Sequence, residues 1–300
     1  MHDPFPSSAP PIIEIRRLTR RFGEKTALDD VSLAVPRGGV FGLIGGNGAG
    51  KTTLIKHILG MLRAQSGSVH VFGLDPVQNP VGTLGRIGYL SEDRDLPNWM
   101  RVGELMRYTQ AFFPNWDAAY AEELRLAFDL DANAGVKTLS RGQRARTGLL
   151  VALAHRPDLL VLDEPSSGLD PVVRRDILGA IIRTIAEEGR TVVFSSHLLD
   201  EVERVADRVA IIHQGRILLT ATMDEIKDSH RRVTLRFGQS LEQAPSLVGA
   251  LSVDGGGAEW TYVCSGEREQ LRRAAEALGA TVVGEAALSL DEIFVNRVQG

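Results

Sequence analysis

The segment Gly45-Gly46-Asn47-Gly48-Ala49-Gly50-Lys51-Thr52 combines residue types and a spacing that suit phosphate chemistry. Glycines at these positions let backbone amides converge on a β-phosphate at the N-terminus of a helix. Lys51 would bridge the β- and γ-phosphates, and Thr52 would hold Mg²⁺. The segment therefore predicts a phosphate-binding loop for a nucleoside triphosphate. A glycine turn without a ligand is the alternative, and kinases, GTPases and motors all share such loops.

A pair of acidic residues, Asp163 and Glu164, follows the apolar run at residues 159–162. If this run is a strand of a parallel sheet, its carboxyl end lies where such sheets bind ligands. Asp163 would then orient Mg²⁺ and its water, and Glu164 would polarise the water that attacks the γ-phosphate. The alternative is an acidic pair that ends a strand before Pro165. The phosphate-binding loop in the same chain disfavours that alternative.

A third motif, Leu139-Ser140-Arg141-Gly142-Gln143, precedes a basic helix start. Ser140 fits the N-cap of that helix, which would explain the serine without any further function. A serine hydroxyl at a helix N-terminus is also what a γ-phosphate needs. The motif by itself leaves both interpretations open.

The elements expected to position these residues alternate between strands and helices. Residues 40–44 read as a buried strand that feeds the phosphate-binding loop, and residues 52–62 have the apolar spacing of a helix. The apolar runs at residues 159–162 and 191–194 flank a helical pattern at residues 174–187. This order predicts a parallel βαβ unit.

Together with Ser167-Gly168-Leu169-Asp170 and His197, these motifs resemble the ATP-binding-cassette (ABC) family over about residues 12–227. The resemblance implies an ATPase that uses ATP and Mg²⁺ and works as an ATP-sandwich dimer, either a homodimer or a heterodimer. In such a dimer, Ser140 and Gly142 of one subunit contact the γ-phosphate held by the phosphate-binding loop of the other. The segment that begins at Ser167 would be the D-loop, which crosses the dimer interface.

His197 would be the switch histidine of the family, in contact with the γ-phosphate beside Glu164. A lone histidine after a strand is more often structural. Here Ser195-Ser196-His197 ends a predicted buried strand near the site, which favours the functional interpretation. Phe22 matches the aromatic residue that stacks on adenine in the family, although taken alone it could equally belong to a core.

One position departs from the commonest pattern of the family. Many members carry a glutamine after the strand that corresponds to Ile87-Gly88-Tyr89-Leu90, whereas this chain has Ser91-Glu92-Asp93. A carboxylate at Glu92 can still bind Mg²⁺. The candidate residues are, for catalysis, Glu164, His197 and Lys51; for nucleotide binding, Phe22, Gly45, Asn47, Gly48, Ala49, Gly50, Lys51, Thr52, Thr53, Ser140, Gly142 and Gln143; and for Mg²⁺, Thr52, Glu92 and Asp163.

The predicted fold is an α/β P-loop NTPase cassette of the ABC type. It has a parallel core sheet, an antiparallel N-terminal sheet, a helical subdomain and a small α+β C-terminal domain. The predicted boundaries are a flexible tail at residues 1–11, the cassette at residues 12–228 and the accessory domain at residues 229–300, with the helical subdomain at about residues 94–153. The accessory domain is expected to follow the order βαββαβ. Its first helix would lie at residues 241–247, and its second and third strands would be separated by Gly255-Gly256-Gly257.

Composition limits where the protein can work. The chain has 300 residues and a formal net charge of −4, so no nucleic-acid partner is expected. Its one cysteine, Cys264, excludes an internal disulfide and fits a reducing compartment. No run of about 18 apolar residues is present. We expect a cytoplasmic protein that reaches the inner face of the cell membrane through a partner.

The chain resembles the single-domain ATPase subunits of bacterial exporters, whose permease is a separate integral membrane protein. Trp99 could anchor a helix of that permease, with core packing as the alternative. An ABC ATPase that acts on nucleic acid or ribosomes is the competing interpretation, but the coiled coil, zinc module or second cassette of those branches is missing. A small-molecule P-loop kinase would leave the Ser140 motif and His197 unexplained.

Overall fold

The computed structural model describes residues 10–93 and 95–299, and the side chains among them except those of residues 183–188 and 299. The chain divides into two compact units, Met1–Thr220 and Ala221–Gly300. All but residues 10 and 11 of the predicted tail lie outside the described residues. In chain order the elements of the first unit are β1 (Ile13–Phe22), β2 (Lys25–Val35), β3 (Gly39–Ile44), α1 (Lys51–Ile58), β4 (Ser66–Val71), α2 (Pro80–Leu84), β5 (Ile87–Leu90), α3 (Val102–Gln110), α4 (Ala118–Ala127), α5 (Arg141–Leu153), β6 (Leu159–Asp163), α6 (Pro171–Glu188), β7 (Thr191–Ser196), α7 (Leu199–Val205), β8 (Arg208–His213) and β9 (Arg216–Thr222).

A six-stranded sheet in the order β5-β6-β7-β3-β8-β9 forms the centre of this unit. The pairs β5–β6, β6–β7, β7–β3 and β3–β8 are parallel. Every residue of β6 and β7 is buried, as expected for strands covered on both faces. The predicted βαβ unit is confirmed, because α6 connects the paired strands β6 and β7. Since β7 lies between β6 and β3, the carboxyl ends of these three strands share one edge of the sheet.

A separate antiparallel sheet has the order β2-β1-β4. Its core side chains alternate along the strands with more exposed ones, and among the fully buried ones are Ile13, Leu18, Leu28 and Val31. These side chains belong to one cluster with apolar residues of β3 and α1. The N-terminal antiparallel sheet is therefore confirmed, and it packs on the element that begins at the phosphate-binding loop.

The helices α3, α4 and α5 occupy the segment in which the sequence indicated a helical insertion. Local chemistry explains where α4 begins. The Asp117 carboxylate accepts a hydrogen bond from Tyr120 N at 2.9 Å, which is a standard N-cap, and it also accepts one from Arg156 Nε at 2.8 Å.

Within residues 10–93 and 95–299, no helix has both the length and the apolar character needed to cross a membrane.

The second unit contains α8 (Met223–Ser229), β10 (His230–Leu241), β11 (Ala250–Ser265), α9 (Arg268–Ala277), β12 (Ala280–Ala287) and α10 (Leu290–Gln299). Its three strands form an antiparallel sheet in the order β11-β10-β12. The helix α8 falls in this unit although the sequence assigned it to the cassette. The helix α8 contacts the start of β10 in the same unit, where His230 Nδ1 lies 2.9 Å from Ile226 O.

The predicted order βαββαβ of the second unit is wrong. Residues 241–247 form no helix, because Pro245 lacks the N–H that a helix interior requires. The Gly255-Gly256-Gly257 segment does not separate two strands but lies inside β11. Gly255 and Gly257 have φ angles of 127° and 62°, and the ladder shifts its register nearby, so the glycines let the strand continue through an irregular stretch.

His155 follows α5 and is buried. Its Nε2 lies 3.1 Å from Ile87 O, and its ring stacks on Phe113 with centroids 3.9 Å apart. Burial lowers the pKa of His155 to about 4. An unfolded histidine has a pKa near 6.5, so between pH 6.5 and 4 the unfolded chain binds a proton that the folded chain excludes. Stability from this group is therefore present above pH 6.5 and is lost as the pH falls.

We expect His155 to lower the free energy of unfolding by about 2 kcal/mol between pH 7 and pH 5. The variant His155→Gln keeps a donor for Ile87 O but cannot titrate. Urea unfolding of both proteins at the two pH values measures the difference. Because the pKa values of His57 and His230 are also lowered by burial, only the part of the change that disappears in His155→Gln belongs to His155. Equal changes in both proteins would contradict the prediction.

Candidate active site

The phosphate-binding loop lies between β3 and α1, and its backbone is shaped by glycines. Gly48 and Gly50 have φ angles of 75° and 115°, a region that disfavours side chains. A Cβ atom at Gly50 would also lie 2.7 Å from Ala27 O, which leaves no room for another residue. The loop turns directly into α1, so the free N–H groups of the first helical turn face the loop. This is the geometry of an anion site at a helix N-terminus.

Lys51 is the first residue of α1, and it is 6% exposed. Its Nζ donates hydrogen bonds to Gly45 O at 2.6 Å and to Gly46 O at 3.2 Å. The same Nζ lies 2.9 Å from Glu164 Oε1. A buried ammonium group needs such partners because its transfer out of water is unfavourable. The two carbonyls and the carboxylate hold Lys51 beside the loop.

Glu164 directly follows β6 and is 4% exposed. Its φ angle of 47° lies in the left-handed region, which turns the chain sharply at the end of the strand. Its Oε2 lies 2.6 Å from His197 Nδ1, and its other carboxylate oxygen faces Lys51. The carboxylate of Glu164 is therefore fixed between a cation and an imidazole. The structure brings together all three predicted catalytic residues.

Ser195, in β7, connects the ends of β6 and β7 through hydrogen bonds. The sequence did not indicate a role for it. Its Oγ donates to Asp163 Oδ1 at 2.7 Å and accepts from Glu164 N at 2.9 Å. Asp163 and Ser195 are partners in the strand register, and both are buried. The signal in the sequence was a serine at the polar end of a buried strand. Its partners became visible only with the order of the strands.

Residues 28–167 match the protein family described as ABC transporter. The ATP-binding protein YtrB of Bacillus subtilis is 27% identical over 289 residues, which span 96% of this chain and 99% of that protein. The bacitracin transport ATP-binding protein BcrA of Bacillus licheniformis is 33% identical over 223 residues, or 74% of this chain and 73% of that protein. A solved ATP-binding subunit of an ABC transporter superposes with a TM-score of 0.67 at 28% identity, over 72% of this chain and 92% of that one.

The chain belongs to the ABC transporter family. As one of its ATP-binding proteins, it is an ATPase. The predicted fold class, an ABC cassette with a small α+β domain at its C-terminus, is confirmed.

A cavity of about 330 Å³ opens over the phosphate-binding loop of this ABC ATPase. It contains most of the predicted nucleotide-binding residues together with Lys25 and Ala27, which the motifs did not indicate. Phe22 ends β1 at its rim and is 46% exposed, with the Arg20 guanidinium 4.6 Å from the ring centroid. The lining residues are Phe22, Lys25, Ala27, Gly46, Asn47, Gly48, Ala49, Gly50, Lys51, Thr52, Thr53, Glu92 and Glu164.

Ser140, Gly142 and Gln143 are described by the structure but do not line this cavity. Ser140 Oγ accepts from Gln143 N at 3.2 Å, and Gln143 Oε1 accepts from Ser140 N at 3.0 Å. This reciprocal pair is a capping box, so the N-cap interpretation of Ser140 is confirmed. Gly142 lies against Val173, where a Cβ atom would come within 2.7 Å of Cγ2. The motif Leu139-Ser140-Arg141-Gly142-Gln143 therefore lies outside the lining of the cavity over the phosphate-binding loop.

Proposed function

We propose that this ABC ATPase hydrolyses Mg-ATP at Glu164 and powers an exporter as a dimer bound to a separate integral membrane permease. The observation that supports this most strongly is the Glu164 carboxylate, held between Lys51 and His197 at the cavity above the phosphate-binding loop. A phosphotransferase needs room for a second substrate at this place. A hydrolase needs a fixed acceptor for a water proton, which a doubly held carboxylate supplies.

In the proposed reaction, the backbone amides of the loop and Lys51 bind the phosphates of ATP, and Phe22 stacks on the adenine. Lys51 contacts Glu164 in the structure, so a γ-phosphate would exchange one anionic partner of its ammonium group for another. The released Glu164 carboxylate would accept the proton of the attacking water. His197 contacts the opposite oxygen of that carboxylate and would keep it aimed at the phosphate. Positioning and electrostatic stabilisation are the main sources of catalysis in phosphoryl transfer.

The residues beside the loop also suit Mg²⁺. In the described part of the chain, no group of three or more His, Cys, Asp and Glu side chains could bind a metal by itself. Mg²⁺ in nucleotide sites is instead held by one or two oxygen ligands and by the phosphates, which fits Thr52, Asp163 and Glu92. The ion would neutralise phosphate charge as it develops. Ser195 donates to Asp163 and fixes the orientation of that carboxylate.

Dimerisation would complete the site. Ser140 and Gly142 do not line the cavity of their own chain, so one chain supplies only part of the predicted contacts. Gly142 has no side chain that could block an approaching anion. Ser140 lies at an exposed helix N-terminus, where backbone N–H groups suit an anion. A γ-phosphate bound between two copies, or between this chain and a related subunit, would join both halves. ATP would then hold the dimer together until it is hydrolysed.

A groove of about 500 Å³ is the surface that best suits a permease helix. Apolar side chains from α2, β5 and α5 line it, among them Leu84, Tyr89 and Val151, with Leu96 and Phe113 from the segments around α3. Trp99 is 81% exposed, so its alternative interpretation as a core residue is wrong. An exposed aromatic residue and an apolar groove are features of helix-in-groove recognition. Binding there would place the protein at the cytoplasmic face of the membrane.

Transport, rather than another use of ATP, is supported by the name of a relative. BcrA is described as a bacitracin transport protein. The net charge of −4 gives no electrostatic support for the alternative of action on nucleic acid or ribosomes.

The variant Leu84→Glu tests the permease contact, because it places a charge in the groove. Val81→Glu is the matched control: it adds the same charge on the same short helix, at a residue that is 89% exposed and does not line the groove. The full chain is isolated from detergent-solubilised membranes, and associated membrane proteins are identified. We expect a six-helix membrane protein with the parent and with Val81→Glu but not with Leu84→Glu, while all three bind ATP equally. Retention by Leu84→Glu, or isolation of ribosomes or DNA, would contradict the proposal.

A further inference from the structure

A buried carboxylate outside the ATP cavity lies close to the catalytic residues. Glu201 is on α7, four residues after His197, and is 3% exposed. Its Oε2 accepts a hydrogen bond from Ser166 Oγ. Its Oε1 forms no hydrogen bond within the described residues, and Arg174 Nε lies 3.8 Å away. Neither the phosphate-binding loop nor the predicted motifs account for this acidic residue.

The partner of Glu201 belongs to the loop that carries Glu164. Ser166 is two residues after Glu164 and is 1% exposed. The loop turns tightly around it: Ser167 N donates to Glu164 O, and Leu169 N donates to Ser166 O, each at 3.2 Å. The hydrogen bond to Glu201 therefore connects this turn to α7, the helix that begins just after His197.

Burial of a carboxylate in this position costs stability, because the group loses its contact with water. Burial raises the pKa of Glu201, against the hydrogen bond from Ser166 and the charge of Arg174, which lower it. Arg174 also donates to Leu169 O at 3.1 Å, so it contacts the same loop. A buried acid with one incomplete partner commonly adds less stability than an apolar residue of similar size. Its value lies in the geometry that it fixes.

We propose that Glu201 is a positioning residue for ATP hydrolysis, which holds Ser166 and thereby keeps the turn after Glu164 at a fixed distance from α7 and His197. Ser195 already connects the ends of the strands that precede Glu164 and His197. The two chain segments that carry Glu164 and His197 are then joined by two further side-chain contacts. One is the contact between Glu164 and His197 themselves, at 2.6 Å, and the other is the contact between Ser166 and Glu201. Loss of the second contact leaves ATP binding intact and misplaces the Glu164 carboxylate.

Steady-state ATPase assays on the full chain separate these effects. We expect Glu201→Ala and Ser166→Ala each to lower kcat by about 10-fold to 100-fold, since small misplacements of a reacting group have effects of this size. The KM for ATP stays within about twofold, because Lys51 and the loop are untouched. Glu201→Gln retains an acceptor for Ser166 and recovers most of the activity. Asp200→Asn, an exposed acid on the same helix, is the control and keeps the parent kcat.

A double variant distinguishes positioning from general stabilisation. In the Ser166→Ala background, Glu201→Ala should lower kcat no further, because the contact is already lost. Parent-like kcat in Ser166→Ala and Glu201→Ala would overturn the proposal. So would a loss of ATP affinity equal to the loss of kcat, which would indicate a structural role only.

The role of Glu201 presupposes the proposed role of Glu164, so Glu164→Gln is measured in the same assay. If Glu164→Gln has the parent rate, the proposed function fails. If Glu164→Gln is inactive while Glu201→Ala and Ser166→Ala are fully active, only the role of Glu201 fails.

Discussion

Glu164→Gln is expected to lower the rate constant of ATP hydrolysis by about 10³-fold, within the range that a general base contributes. Glutamine has the shape of glutamate, so the turn at the end of β6 and the fit beside His197 remain. The amide cannot accept a proton from water, and it carries no charge to face Lys51. The contacts of Lys51 with Gly45 O and Gly46 O are independent of this change. We therefore expect ATP binding to persist while turnover stops.

The measurement is a single-turnover assay with Mg-ATP, with equilibrium binding and gel filtration on the same samples. Because bound ATP is no longer consumed, Glu164→Gln should elute as a dimer in the presence of Mg-ATP and as a monomer without it. Asp200→Asn removes a nearby exposed carboxylate and serves as the control, with the parent rate expected. Hydrolysis by Glu164→Gln at the parent rate would refute the assignment of Glu164. Elution of ATP-bound Glu164→Gln as a monomer would refute the proposed dimer.

The parts of the site that sequence predicted are those encoded locally. The phosphate-binding loop needs only closely spaced glycines, Lys51 and the helix that follows. Asp163 and Glu164 were found because they end an apolar strand. In each case the chemistry depends on neighbours in the chain, so the spacing of the residues carries the information.

Some residues that depend on pairing between distant segments were not predicted. Ser195 and Asp163 meet because β6 and β7 are adjacent and in register, and no local pattern encodes that register. The contact between Ser166 and Glu201 crosses from one loop to a helix in the same way. Lys25 and Ala27 reach the cavity because β2 passes beside the loop. Such contacts need the strand order before they can be inferred.

The second unit shows a different limit. Its helix α9 and strand β12 correspond to the second helix and the last strand of the predicted order. The segment at residues 241–247 has mixed polarity. Pro245 lies inside it and disfavours a helix, whatever the spacing of its apolar residues. The strand β4 was not predicted either, since Ser66-Gly67-Ser68-Val69-His70-Val71 has few strand-forming residues and depends on its pairing with β1.

Lys51→Ala is expected to weaken the binding of Mg-ATP by at least about 100-fold, because a charge-assisted contact with phosphate is among the stronger polar interactions. Equilibrium titration with Mg-ATP measures this change. Lys56→Ala removes the same charge from an exposed position of α1 and should bind ATP like the parent. Parent-like affinity in Lys51→Ala would refute the assignment of the phosphate-binding loop.

The same substitution has a second effect that follows from the buried pair. Lys51 and Glu164 have side chains that are each 6% exposed, so Lys51→Ala leaves the Glu164 carboxylate buried, with His197 as its remaining side-chain contact among the described residues. Loss of one partner of a buried pair lowers the free energy of unfolding by about 3 kcal/mol. Adding Glu164→Gln removes the unpaired charge, so the double variant should be more stable than Lys51→Ala in urea unfolding, yet it should bind ATP no better. Recovery of stability without recovery of affinity would show that Lys51 has two separable roles: it neutralises Glu164 and it binds phosphate.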